Sequence, residues 1–311
     1  MAKYSVILPV HNESASLNDL WRELFSVLET INDTYEIIFI NDGSTDDSLA
    51  IIKKLSSQHS TIKYISFTRN FGHQNALLAG IRHSVGEYLI TMDSDLQDPP
   101  RLIPDLIALS KQGFEVVNAT RKYNQPDGMT KKYFAKIFYW IYNQITEVPI
   151  PHASGDFRLF SRQVADEILK MGDSHYFIRG QIAWLNFNTA AIYFEREKRG
   201  KGEISYTTSR SLKLAIDAIF TYSNFPLKIV TFLGLATAIV SGIMILITLI
   251  KIFLLNYDMV QGWSSLLLSV LFIGGVQMIA IGIIGEYLIR ITDQVRNRPS
   301  YIIAEKKLEK P

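Results

Sequence analysis

Two carboxylates one residue apart, Asp93 and Asp95, follow the apolar run Tyr88-Leu89-Ile90-Thr91-Met92. The run reads as a buried strand, so both acids fall at its end. Carboxylates placed there, just outside a sheet, are hard oxygen ligands suited to Mg²⁺ or Mn²⁺. Such an ion does most when it also holds a diphosphate. Pro99-Pro100 close the motif Asp93-Ser94-Asp95-Leu96-Gln97-Asp98-Pro99-Pro100 and pre-set the start of a helix. Alone, an Asp-x-Asp triplet is more often a turn or a helix cap. Its surroundings decide between the readings.

Those surroundings alternate strand and helix signals. Strands are expected over Tyr4 to Val10, Glu36 to Ile40, Ile62 to Phe67, Tyr88 to Met92 and Val116 to Ala119. Between the first two, Leu17, Leu20, Trp21, Leu24, Leu28 and Ile31 recur at helical spacing, with Ser16 and Asp19 as a candidate capping box. Further helices are expected over about Asp47 to Ser57, Gln74 to Ser84 and Leu102 to Lys111. This alternation implies an α/β fold, a mostly parallel sheet with helices on both faces. Ligands of such sheets bind beyond the carboxyl ends of the strands. Polar clusters fall there three times: Pro9-Val10-His11-Asn12-Glu13, Asn41-Asp42-Gly43 and Asp93-Ser94-Asp95. Together they would make one rim for a nucleotide's base, ribose and metal-bound phosphates. No Gly-x-Gly-x-x-Gly follows the first strand and no Walker P-loop is present, which argues against a dinucleotide fold.

The chain has 311 residues, a net charge of +2 and no cysteine. The charge gives no field for nucleic acid, and the missing thiols exclude a cysteine nucleophile, a thiolate metal site and disulfides. The apolar residues are unevenly spread. Ile229 to Ile250 is uncharged, and its roughly 22 residues reach about 33 Å as a helix, enough for a bilayer core. Leu266 to Ile284 is a second uncharged run. Basic residues flank the pair on both sides, from Arg196 to Lys228 before it and from Arg290 to Lys310 after it. The positive-inside rule then puts both ends in the cytoplasm. The N-terminus runs straight into a strand, with no signal peptide expected. Leu212, Ala215, Ile216, Ile219 and Phe220 form an apolar stripe suited to a helix on the membrane surface. Gly234, Ala238 and Gly242 on one span, and Gly282 and Gly285 on the other, permit close helix contact, within one protomer or in a homo-oligomer. The expected organisation is a catalytic domain over 1–205, an amphipathic helix over 206–227, two spans over 228–289 and a basic cytoplasmic tail over 290–311.

The three rim clusters, extended to Asn41-Asp42-Gly43-Ser44-Thr45-Asp46 and the whole Asp93 to Pro100 motif, combine with Gly155-Asp156-Phe157-Arg158-Leu159. This set resembles family 2 glycosyltransferases of the GT-A fold. More narrowly, it resembles the polyprenyl-phosphate group of dolichol-phosphate mannose synthases and bactoprenol glucosyltransferases. The two spans fit the bacterial branch, at the inner membrane. His11 departs from the tyrosine usual in the family. The resemblance implies metal-dependent transfer of a sugar, with inversion, from a nucleotide-sugar (UDP-glucose favoured) to the phosphate of a membrane polyprenol such as undecaprenyl phosphate. By position, Asp42 would contact the base or ribose, with Pro9 and Glu13 lining the same pocket. Asp93 would face ribose or phosphate, and Asp95, with Asp93 and Gln97, would hold the ion. Asp156 matches the position usually proposed as the base, and would otherwise orient a positive group or the acceptor. Arg121, Lys131, Lys132 and Arg199 are candidates for the acceptor phosphate; the competing reading is ordinary juxtamembrane charge, worth about 1 kcal/mol each at an anionic surface. A processive polysaccharide synthase is disfavoured because Gln181-Ile182-Ala183-Trp184 lacks the Gln-x-x-Arg-Trp pattern. A non-catalytic partner of a glycolipid flippase would have no need of the acidic rim.

Overall fold

The computed structural model describes residues 2–121, 154–173, 176–195, 262–296 and 298–308, with isolated residues between 230 and 250. Eight strands, β1 (Tyr4–Val10), β2 (Tyr35–Asn41), β3 (Ile62–Phe67), β4 (Tyr88–Thr91), β5 (Val116–Arg121), β6 (Ser154–Ser161), β7 (Thr189–Phe194) and β8 (Ile303–Lys307), form one sheet. Its order is β7-β5-β6-β4-β1-β2-β3-β8. The pairs β1–β2, β1–β4, β2–β3 and β5–β7 are parallel, while β4–β6, β5–β6 and β3–β8 are antiparallel. Only β6 and β8 therefore run against the rest. This is the mostly parallel α/β sheet expected for a GT-A fold.

Alternation along β1 shows how the two faces are covered. Tyr4, Val6, Leu8 and Val10 pack into one core with α1 (Leu17–Leu28), α2 (Ser48–Gln58) and α4 (Ile103–Ser110). Ile7 points the other way, into a second core with α3 (His73–His83), α5 (Arg162–Met171) and α6 (Ile178–Leu185). A strand buried on both faces must be apolar at every position, and β1 and β2 nearly are.

The structure departs from the sequence reading in two places, the second and third below, and adds to it in two others. First, the Gly155 to Leu159 motif lies on an additional strand, β6, inserted antiparallel between β4 and β5. Second, the Ser16–Asp19 capping box does not form; the Ser16 hydroxyl turns instead to the Glu13 side chain and the Ser94 carbonyl. Third, part of the segment expected as a basic tail is β8, held on β3 by main-chain pairing, a Lys53–Glu305 ion pair and Tyr301 stacked on Phe67. Fourth, among the described residues one helix, α7 (Trp263–Arg296), is long and apolar enough to cross a membrane. It contains the second expected span. The first expected span, Ile229 to Ile250, lies mostly outside the described residues, though those described within it are helical. The aromatic-rich stretch Tyr133 to Ile145 and the stripe Leu212 to Phe220 also lie outside them.

The chain divides into two compact units. One comprises Met1–Tyr139, Val148–Ser205 and Arg298–Pro311, and the other Trp140–Glu147 and Tyr206–Asn297. In the second, the large apolar side chains of Phe272, Met278, Ile281 and Leu288 on α7 are exposed.

Candidate active site

Hydrogen bonds stitch the loops at the carboxyl ends of β1, β2 and β4 together. Asn12, in the left-handed region at φ 57°, donates its amide to Ser44 Oγ at 3.1 Å and accepts from Thr45 N at 2.8 Å. The Glu13 amide donates to Ser48 Oγ at 2.9 Å, and the Ser14 amide to Asp46 Oδ2 at 3.0 Å. Burial opposes the Asp46 charge, but donors from Ser48 and Ser14 outweigh it and lower its pKa to about 2. Ser94 Oγ donates to the Pro9 carbonyl at 2.7 Å. The three polar clusters thus form one continuous rim, with Pro9 buried and Glu13 half-exposed on it.

Asp42 serves this rim from beneath. Its two carboxylate oxygens accept the Phe71 and Gly72 amides at 2.6 and 2.9 Å. It therefore fixes the entry to α3, where Gly72 at φ 97° turns the chain and delivers His73. His11 Nδ1 lies 2.8 Å from the Asp42 carbonyl oxygen, so the histidine is built into the same anchor.

The motif after β4 folds back on itself. The Asp93 amide donates to Asp98 Oδ2 at 3.1 Å, and the Gln97 amide to Asp95 Oδ1 at 3.1 Å. Leu96 sits at φ 62° between them, a conformation that costs a residue with a Cβ roughly 1–2 kcal/mol. The strain is held by the surrounding hydrogen bonds, as at many ligand loops. Burial first, then the Asp98 charge, push the Asp93 carboxyl up to about 6. Asp93, Asp95 and the Gln97 carbonyl are all hard oxygen donors, a set that fits Mg²⁺ or Mn²⁺. Gln97 Oε1 is moreover buried with no hydrogen-bond partner among the described residues, a cost that a cation would remove.

Asp156 on β6 reaches the same end of the sheet because Thr91 of β4 donates its hydroxyl to the Asp156 carbonyl at 2.6 Å. Its side chain is only 5 % exposed. Arg179, on α6, grips it with two parallel bonds, Nε to Oδ1 at 2.7 Å and Nη2 to Oδ2 at 2.8 Å. His73 Nε2 stands 3.1 Å from Asp156 Oδ2 and 3.6 Å from Asp93 Oδ1. Buried Arg158 approaches Asp156 Oδ1 at 4.0 Å. Burial opposes the Asp156 charge, but the Arg179 and His73 bonds outweigh it and hold its carboxyl well below the usual range. Burial likewise works against a charged His73, yet Asp156 and Asp93 raise its pKa. One ligand atom each from His73, Asp93 and Asp156 lies within 4.8 Å of the others, a spacing a metal could bridge. Asp156 is already engaged by Arg179 and His73, whereas Asp93, Asp95 and Gln97, the set expected from the sequence, offer oxygen donors alone.

The structure thus brings together Pro9, Glu13, Asp42, Asp93, Asp95, Gln97 and Asp156. Arg121 is the last residue of β5, its side chain not described, and Lys131, Lys132 and Arg199 lie outside the described residues. Sequence reasoning missed His73 and Arg179. His73 was findable, since Phe71-Gly72-His73 follows the end of β3 just as the acidic clusters follow other strands. Arg179 was not, because no local pattern ties it to Asp156.

Comparison with known proteins accords with this geometry. A homologue of bactoprenol glucosyl transferase from an Escherichia coli K12 prophage is 38% identical over 309 residues, covering 98% of this chain and 99% of its own. The bactoprenol glucosyl transferase of Shigella phage SfII is 38% identical over 305 residues, 97% of each chain. The glycosyltransferase YkcC of Bacillus subtilis is 36% identical over 301 residues, 97% of this chain and 93% of its own. The model of the family described as glycosyl transferase family 2 matches residues 5–169, which include every strand end of the rim as well as Asp156. The chain belongs to glycosyl transferase family 2.

Proposed function

We propose that this glycosyltransferase moves a hexose, with glucose favoured, from a nucleoside diphosphate sugar to the phosphate of a membrane polyprenol. The observation that carries the reading is 38% identity along nearly the whole chain to bactoprenol glucosyl transferases, in a chain with Asp93, Asp95 and Gln97 after one strand end. Asp93, Asp95 and Gln97 would hold Mg²⁺ or Mn²⁺, which when bound neutralises charge on the departing diphosphate. Pro9 and Glu13 on the rim would line the nucleotide pocket, with Asp42 beneath them holding the Phe71 and Gly72 amides. The acceptor is a phosphate monoester whose second pKa is near 6, so its oxygen is anionic at neutral pH and needs no strong base. Lys131, Lys132, Arg121 and Arg199 are the proposed cations around it.

The same reading gives a protein of the bacterial inner membrane with a cytoplasmic catalytic domain and two spans, Ile229 to Ile250 and Leu266 to Ile284. The exposed apolar face of α7 supports it, and a homo-oligomer is compatible with the small residues on both spans. The test is to give membranes containing the protein undecaprenyl phosphate, a divalent ion and labelled nucleotide-sugars one at a time. Label should pass into the organic phase from one donor, and Asp95→Ala membranes should make none. Near wild-type transfer by Asp95→Ala in metal-containing buffer would sink the metal assignment.

A further inference from the structure

Asp156 is the member of this site whose partners fit poorly with proton abstraction. Both of its oxygens accept charged donors from Arg179, and one of them also faces His73. A carboxylate placed this way is a platform for cations. What it carries is more open than it is: the Arg179 side chain is 35 % exposed and that of His73 39 %, against 5 % for Asp156. Arg179 meets Asp156 through Nε and Nη2, the side-on edge of its fork. Planarity of the guanidinium then turns the end-on edge away from the carboxylate. A further cation, Arg158, backs the platform and is itself buried, at 3 % exposed. Asp93, whose Oδ1 lies 3.6 Å from the same Nε2 of His73 that meets Asp156, belongs to the proposed metal set, so the cations border the place where phosphate oxygens would sit.

From this geometry we infer that Arg179 is a phosphate-binding residue of the site, and that Asp156 acts as the positioning residue that aims it. Arginine suits the task because its fork can serve a carboxylate and a phosphate oxygen at once. The inference rests on the proposed glycosyl transfer. The phosphate is either the acceptor's monoester or the donor's diphosphate.

The test uses full-length protein in detergent with Arg179→Gln, Arg179→Lys and Asp156→Asn, each first matched to wild type in thermal midpoint. Acceptor KM is read from transfer to undecaprenyl phosphate, and donor binding from UDP titration with a divalent ion. Losing one charge-assisted bond predicts that Arg179→Gln weakens one of these constants about 10- to 100-fold. A rise in acceptor KM with UDP affinity unchanged places the monoester at Arg179; weaker UDP binding places the diphosphate there. Arg179→Lys should recover part of the loss. Asp156→Asn should share the defect of Arg179→Gln and keep the wild-type shape of the pH–rate profile.

Arg179→Gln or Arg179→Lys, whichever folds, giving both constants within about twofold of wild type would overturn the inference, since a contact of this class is worth more. So would an Asp156→Asn profile that loses its basic limb while the Arg179 variants stay silent. Wild-type protein that transfers no sugar from any donor would instead defeat the proposed function. Direct titration of UDP and undecaprenyl phosphate would then decide for Arg179: weaker binding by Arg179→Gln upholds it, and equal binding rejects it.

Discussion

An Asp93 carboxyl pushed up to about 6, by burial first and Asp98 second, has two consequences of opposite sign. Folded protein holds that proton more tightly than unfolded chain does, so this residue's contribution to stability falls as pH rises from the ordinary carboxylate range towards 6. Metal binding needs the ionised form, so it is favoured by the same rise. Below pH 6, therefore, metal affinity of the substrate-free protein should weaken by about tenfold per pH unit. Calorimetric titration with Mn²⁺ at two pH values on either side of 6 reads this directly, and equal affinities would remove Asp93 from the ligand set. Asp156 is shifted the other way, so its charge persists across that window. The acids of this site were legible in the sequence because each follows an apolar strand. Their different ionisation was not, because it depends on how deeply Asp93 is buried beside Asp98 and on Arg179 and His73, which reach Asp156 from α6 and α3.

At the scale of elements, α3 has the narrowest tolerance. It packs on β1 through Gly80, and a Cβ there would collide with the Ile7 side chain. Ile7 is wholly buried between two parallel neighbours, β2 and β4, and has no room to yield. Gly80→Ala should therefore cost about 1–3 kcal/mol as an overpacked core, even though alanine is the better helix former. It should also tilt the start of α3, where Asp42 and Gly72 set His73. The detergent-solubilised full chain should melt at a lower temperature with Gly80→Ala than without, and an unchanged midpoint would mean that α3 can ride outward freely. The α3 helix and β1 to β5 were readable from periodicity. Strand β6 was not, although its residues Gly155 to Leu159 were recognised as a motif. Period-two alternation reports a strand's faces and says nothing of its neighbours, so the antiparallel insertion between β4 and β5 left no local trace. Strand β8 was hidden differently: Ile303-Ala304-Glu305-Lys306-Lys307 carries the charge of an exposed edge, which in sequence looks like a tail.

For the whole molecule, β8 turns a question about membrane crossings into one of parity. Strands β1 to β7 precede residue 206 and β8 follows residue 298, yet all eight share one sheet. They must therefore lie on one side of any bilayer, and the chain between them must cross an even number of times or not at all. If α7 crosses, a second crossing is required between residues 206 and 261, where Ile229 to Ile250 is the one uncharged run of sufficient length. At 34 residues α7 is also longer than it needs to be, since a hydrocarbon core takes about 20. Its surplus lies at the end carrying Glu286, Arg290, Asp293 and Arg296, which suits emergence on the side that the positive-inside rule would make cytoplasmic. The absence of native cysteine makes this directly measurable. In right-side-out membrane vesicles, Asn256→Cys, in the connection between the two runs, should react with a membrane-impermeant thiol reagent. Ala2→Cys and Lys310→Cys should react only once the vesicles are opened. Labelling of Lys310→Cys from outside, with Ala2→Cys protected, would demand an odd number of crossings. An odd number cannot coexist with β8 paired to β3, so that result would break the sheet's edge and the topology together.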